Sequence, residues 1–173
     1  MGKIRSAALT EAIKKADSMT LIESEKYLDE INCKQPLLMK SVIDLHYEGN
    51  SLEQVDVIVG LLIVTSLALE YSDIIIEEVS MTDYEIQMNS YVNHLKRIDV
   101  LKSKKKKVEI QKYIKSNPEK LLMAYVYGKI NEAGLTKLNT EGAKYLVMAG
   151  VNIVNCVAAK TEKLDKYESE VSH

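Results

Sequence analysis

Thirteen consecutive residues, Val57 to Leu69, are apolar except for Gly60, Thr65 and Ser66, and Asp56 and Glu70 close the two ends. A segment apolar on every side has no face to offer to water. As a helix it belongs at the centre of a larger helical assembly. Thirteen residues also fall short of the roughly 20 that a bilayer span needs. Gly60 lacks a side chain, so another backbone can approach there, and the helix around Tyr145–Val154 is the expected neighbour. The expectation is a buried core helix in a soluble, cytoplasmic chain. No apolar run follows Met1–Arg5, so no secretory signal is expected.

The punctuation of the chain says what surrounds that helix. Only 7 Gly and 2 Pro occur in 173 residues, too few for the closely spaced turns of a sandwich or barrel. Start signals are those of helices. Thr20–Glu23, Ser51–Gln54 and Thr82–Glu85 each have the form of a capping box, in which a hydroxyl and a carboxylate or amide satisfy each other's backbone N–H groups. Pro36 and Pro118 fit the first turn of a helix, and Gly49 and Gly134 fit helix stops. The spacing predicts helices near 4–16, 20–33, 36–48, 52–79, 83–102, 105–116, 118–133 and 140–165, the fourth breaking near Tyr71–Asp73. Ile74–Ile76 is read as part of a buried helix, with a short strand as the alternative. Residues Glu168 to His173 are expected to fray. With no Trp or Phe, the core must be filled by Leu, Ile, Val, Met and some of the 10 Tyr. The fold class is therefore all-α: one compact helical bundle of six to eight helices spanning 1–173.

Two stretches echo each other. Pro36 opens Leu37-Leu38-Met39, followed by Gly49 and an apolar helix. Pro118 leads to Leu121-Leu122-Met123, followed by Gly134 and a second apolar helix. From Met39 to Leu61, and from Met123 to Tyr145, the separation is 22 positions. Half-repeats over 20–80 and 104–165 would pack two αα-hairpins with pseudo-two-fold symmetry; chance recurrence of helix grammar is the alternative.

Charge is segregated along the chain. Residues 17–95 carry a net −12 and residues 96–120 a net +7, within an overall −2. The basic segment contains Lys96, Arg97, Lys102, Lys104, Lys105, Lys106, Lys107 and Lys112. These are the candidate contacts to an anion or nucleic acid, because neutralised phosphates release counterions. Arg97 is the one arginine among them, whereas base edges and phosphate forks are read mainly by Arg. Tyr91 and Tyr113 flank the segment without interleaving, and the pI near 6.0 is low for a dedicated nucleic-acid binder. A solvated turn answered by the acidic half is the plainer reading.

Signatures of chemistry are missing from the sequence. There is no P-loop, dinucleotide fingerprint, nucleophile elbow or zincin motif, and Ala143–Ala158 lacks helix-turn-helix spacing. Asp44, His46 and Glu48 cannot all aim at one ion from a single helix. His94 lies among polar neighbours and reads as solvated. Cys33 and Cys156 read as two buried thiols. No catalytic, metal or cofactor residue is proposed. The function expected is a non-enzymatic protein-interaction or assembly protein that self-associates. A nucleic-acid-associated protein using 96–120 is the alternative, and an enzyme or small-ligand sensor without a recognisable motif is the second.

Overall fold

Ser51 starts the central helix as its sequence implies. Its Oγ accepts from the Gln54 N–H at 3.2 Å, while Gln54 Oε1 accepts from the Ser51 N–H at 2.9 Å. The computed structural model describes residues 3–171, with side chains as far as Leu164. In chain order the helices are α1 (Ser6–Ser18), α2 (Leu21–Lys34), α3 (Pro36–Ile43), which runs into a 3-10 turn at Asp44–Glu48, α4 (Leu52–Tyr71), α5 (Met81–Asp99), α6 (Ser103–Ser116), α7 (Lys120–Glu132) and α8 (Glu141–Val171). The protein is an all-α bundle. Ser172 and His173, the end of the segment expected to fray, lie outside the described residues.

No residue from Val57 to Leu69 is exposed. Helices α1, α7 and α8 pack against α4, as do α2 and α3. Helix α1 packs most intimately, through Ala8 and Ala12, small residues one turn apart that let two backbones come close. On α8, Ala149, Val151, Ile153, Val154 and Val157 are all buried. Fully burying one such aliphatic side chain contributes about 1.5–3 kcal/mol, so this seam holds the bundle together. Helices α5 and α7 cover the rest of α8. The two halves share one element order. In each, a first helix packs back on the fourth, and the second has 14 residues. A third helix, of 8 residues in one half and 13 in the other, then ends near a left-handed glycine, Gly49 (φ 82°) or Gly134 (φ 72°), before a long apolar fourth.

Several local expectations are corrected. The glycine at the close approach is Gly150, not Gly60. A Cβ at Gly150 would lie 2.9 Å from Ile130 Cδ1 and 3.3 Å from Leu61 Cδ1, whereas one at Gly60 would meet nothing within 4 Å. Ile74–Ile76 is neither helix nor sheet. Asp73 takes a left-handed conformation (φ 58°), the Ile74 N–H reaches back to Leu69 O at 2.9 Å, and α4 ends there. The chain then runs extended to Val79, with Ile75 88% exposed and Val79 buried. The start of α5 is capped by Ser80 with Asp83, not Thr82 with Glu85. Lys160 decides this: its buried ammonium lies 2.9 Å from Asp83 Oδ2, fixing that carboxylate at the helix start. Helix α7 begins at Lys120, because Asn117 Oδ1 captures the Glu119 N–H at 2.8 Å in a turn. Cys33 is exposed; only Cys156 is buried, and burial pushes its thiol up to about 12.

Length alone does not separate these core helices from membrane helices. Leu52–Tyr71 and Glu141–Leu164 are each long and apolar enough to cross a bilayer, but 56% and 72% of their most apolar windows are buried within the bundle. Their apolar surface is spent on each other and on their neighbours.

The contrast among glycines is testable. Gly60→Ala should raise stability by about 0.5–1 kcal/mol, since alanine favours the helix and the space is open. Gly142→Ala should lower it, because the new Cβ would fall 2.7 Å from both Asn50 Oδ1 and the Glu48 carbonyl. Thermal melts of the two variants that moved in the same direction would contradict this packing.

Candidate functional site

The basic segment folds as the corner where α5 turns into α6. Lys96, Arg97, Lys102, Lys104, Lys105, Lys107 and Lys112 are exposed and Lys106 is partly so. Lys106 is paired with Asp99 at 2.6 Å and Lys112 with Glu109 at 2.7 Å. The other six have no ion pair among the described residues. Lys102 stands at the N-cap of α6 without a side-chain hydrogen bond, and the first turn contains no acidic residue. Four lysines thus crowd the positive end of the helix dipole, where each is unfavourable and an anion would be favoured. Val100 (85% exposed) and Val108 (50% exposed) add apolar surface among the charges. The candidate residues from Lys96 to Lys107 therefore gather at this one corner, while Lys112 lies in the second half of α6.

Beneath the corner the aromatic residues point inward. Tyr91 is 1% exposed and His94 is 8% exposed, so the expectation of a solvated His94 is wrong. Its ring stacks on Tyr113 with centroids 4.3 Å apart, and Tyr91 lies 5.5 Å from Tyr113. The Tyr91 and Tyr127 hydroxyls meet at 2.8 Å, and the Tyr113 hydroxyl accepts from Asn155 Nδ2 at 2.8 Å. This cluster ties α5, α6, α7 and α8 together. Burial is the main reason the Tyr91, Tyr113 and Tyr127 phenols are pushed above their ordinary range, so they remain protonated. His94 Nε2 is buried and lacks a hydrogen-bond partner. Burial, then the charge of Arg97, holds the imidazole below its usual value, and Glu109 opposes them. The polar setting of His94 in sequence concealed this; its spacing of three from Tyr91 was the available signal.

A second feature lies beside α4. Ala16, Leu21, Leu28, Val57, Val59 and Ile63 form the apolar part of a groove of about 620 Å³, with Gly60 as an open notch. Asp17, Glu25, Asp56 and Glu132 rim it, against one cation, Lys129, which lies 3.2 Å from Glu132. The acidic half of the chain is legible in the sequence but this groove is not, because its walls come from α1, α2, α4 and α7. Of the nearest metal-like trio, Asp44 is engaged by Lys40, and the His46 ring lies 5.8 Å from that of Tyr47. Neither the known protein families, nor characterised proteins, nor solved structures include a match to this chain.

The orphaned imidazole makes stability depend on pH. The unfolded His94 takes its proton near pH 6.5, before the folded one does. Stability should therefore be intact above that value and fall as the pH drops through the folded-state pKa. His94→Phe keeps the stacking and removes the unpaired nitrogen. It should leave stability at pH 7.5 unchanged or about 1 kcal/mol higher, and reduce the loss between pH 7.5 and 5.5. Urea midpoints at the two pH values would show it, and an undiminished loss would exclude His94 as the cause.

Proposed function

We propose that the protein is a non-catalytic assembly module that self-associates by seating the lysine-rich corner of one copy in the acid-rimmed groove of another. The observation that carries this reading is complementarity within one surface. Five exposed lysines and Arg97, without ion partners among the described residues and around Val100 and Val108, match a groove with an apolar floor and a net acidic rim. Opposed charge steers encounter and sets register, while apolar contact and exclusion of water supply affinity. An acidic partner at the start of α6 also relieves the repulsion its lysines suffer from the helix dipole. Made twice about a two-fold axis, the contact closes a dimer, the commonest soluble oligomer.

The same lysines are suited to the phosphates of nucleic acid, which is the second reading. The tyrosines nearest them, Tyr91 and Tyr113, are committed to the interior cluster, so the corner offers charge without their rings as a stacking platform. That favours a protein surface as the partner.

Sedimentation at micromolar concentration distinguishes these. At about 50 mM salt the wild type should run as a species heavier than 19.5 kDa, and it should dissociate as salt screens the contact. Replacing Lys104, Lys105 and Lys107 by Glu should give a monomer, and adding Asp17→Lys and Asp56→Lys should restore association. A 19.5 kDa species at every salt concentration, with tight and salt-sensitive binding of duplex DNA, would sink the assembly reading in favour of the nucleic-acid one.

A further inference from the structure

The extended segment after α4 roofs a cavity. Ile74, Ile75 and Ile76 line it on one side, and Ile31, Leu38, Leu62, Leu69 and Val157 form its apolar floor. Its volume is about 410 Å³, within the roughly 300–1,000 Å³ of small-molecule sites. One side chain hydrogen-bonds the backbone of the roof at two points. Gln35 Nε2 donates to the Glu77 carbonyl at 3.1 Å, and Gln35 Oε1 accepts from the Val79 N–H at 2.9 Å. The strap is held further by Ile74 and Ile76, which pack against the core, and by Lys160, which lies 3.7 Å from Glu77, while Ile75 stands 88% exposed.

The mouth is polar and has a sign. Tyr27, Glu30, Lys34 and Glu70 stand around it, two carboxylates against one ammonium. The Tyr27 hydroxyl donates to Glu70 Oε2 at 3.2 Å. Burial, then the charge of Glu70, and more weakly that of Glu30, push the Tyr27 phenol above its ordinary range. Both carboxylates therefore act on one point at the entrance. The tyrosine ring there offers a face to a cation, and the rest of the lining is mainly hydrocarbon, with Thr65 and Ser66 as the hydroxyl-bearing residues from α4.

We infer that this cavity is a binding site for a small amphiphile with an apolar body and a cationic head, the body lying under the Ile74–Ile76 strap and the head between Glu30, Glu70 and the Tyr27 ring. The site is separate from the surfaces assigned to self-association, and it stands or falls independently of them.

Isothermal titration of the full chain with decyltrimethylammonium and with decanoate, both below their micellar concentrations, tests it. The cation should bind saturably at one site, and decanoate at least about tenfold more weakly. Ser66→Phe, which places a ring in the cavity from α4, should weaken the cation about tenfold or more. The exposed pair Glu30→Lys with Glu70→Lys, which leaves the core untouched, should reverse the preference between the two probes. Absence of saturable binding by the wild type would overturn the site. Equal affinity for both probes would overturn the assignment of the head group. Binding that survives both variants unchanged would place the ligand elsewhere and overturn the proposal.

Discussion

Everything in this bundle is arranged around the contact of two apolar helices, α4 and α8. Gly150 makes it possible: the side chains of Leu61, Ile58 and Ile130 close onto α8 where a Cβ would stand. Interiors are packed as densely as organic crystals, so an approach this close fixes the relative position of both helices and leaves little freedom to slide. Once that seam is set, the remaining helices have one task each. Helix α1 covers the outer side of α4 through its alanines, and α5 and α7 cover α8.

Buried polar groups then fix the register that apolar packing leaves loose. Glu119 is 2% exposed, and its carboxylate accepts from the Lys3 and Ile4 N–H groups at 3.1 Å each and from Thr161 Oγ1 at 3.1 Å. It pins the start of the chain to the turn before α7 and to the side of α8. Lys160, 7% exposed, reaches Asp83 at 2.9 Å and Glu77 at 3.7 Å, joining the strap and the start of α5 to the same helix. Hydrogen bonds from Lys160 and then Ser80 hold the Asp83 carboxyl well below its usual range. A buried donor or acceptor without its partner costs about 1–3 kcal/mol, so these contacts exclude alternative registers as much as they stabilise the observed one.

The surface divides the way the chain does. The lysine corner is a single local feature, contributed by two consecutive helices, and its basic residues were legible as a run of sequence. The acid-rimmed groove and the strap-covered cavity were not, since each draws its walls from helices far apart in the chain. His94 shows the same limit within one helix. Its immediate neighbours are polar, but α6 lies over it and turns it into a stacked interior residue. Tyr91 and Tyr113, read from sequence as flanks of a basic patch, became the lining beneath it.

By itself the sequence determined the helical class, the central place of Val57–Leu69, the caps at Thr20 and Ser51, the first-turn proline at Pro36 and the glycine stops at 49 and 134. These depend on neighbours within four or five residues: hydroxyls that reach their own backbone, glycines that accept positive φ, and apolar residues repeating with the helix. Only the tertiary structure decided which glycine lies at the crossing, which of two capping boxes forms at α5, and why Ile74–Ile76 leaves the helix. In each case the deciding atoms lie on another element: Ile130 and Leu61 across from Gly150, Lys160 beside Asp83, and Gln35 holding the strap's backbone at Glu77 and Val79. Local spacing encodes what a segment can become, but long-range contacts select among conformations whose local free energies are nearly equal.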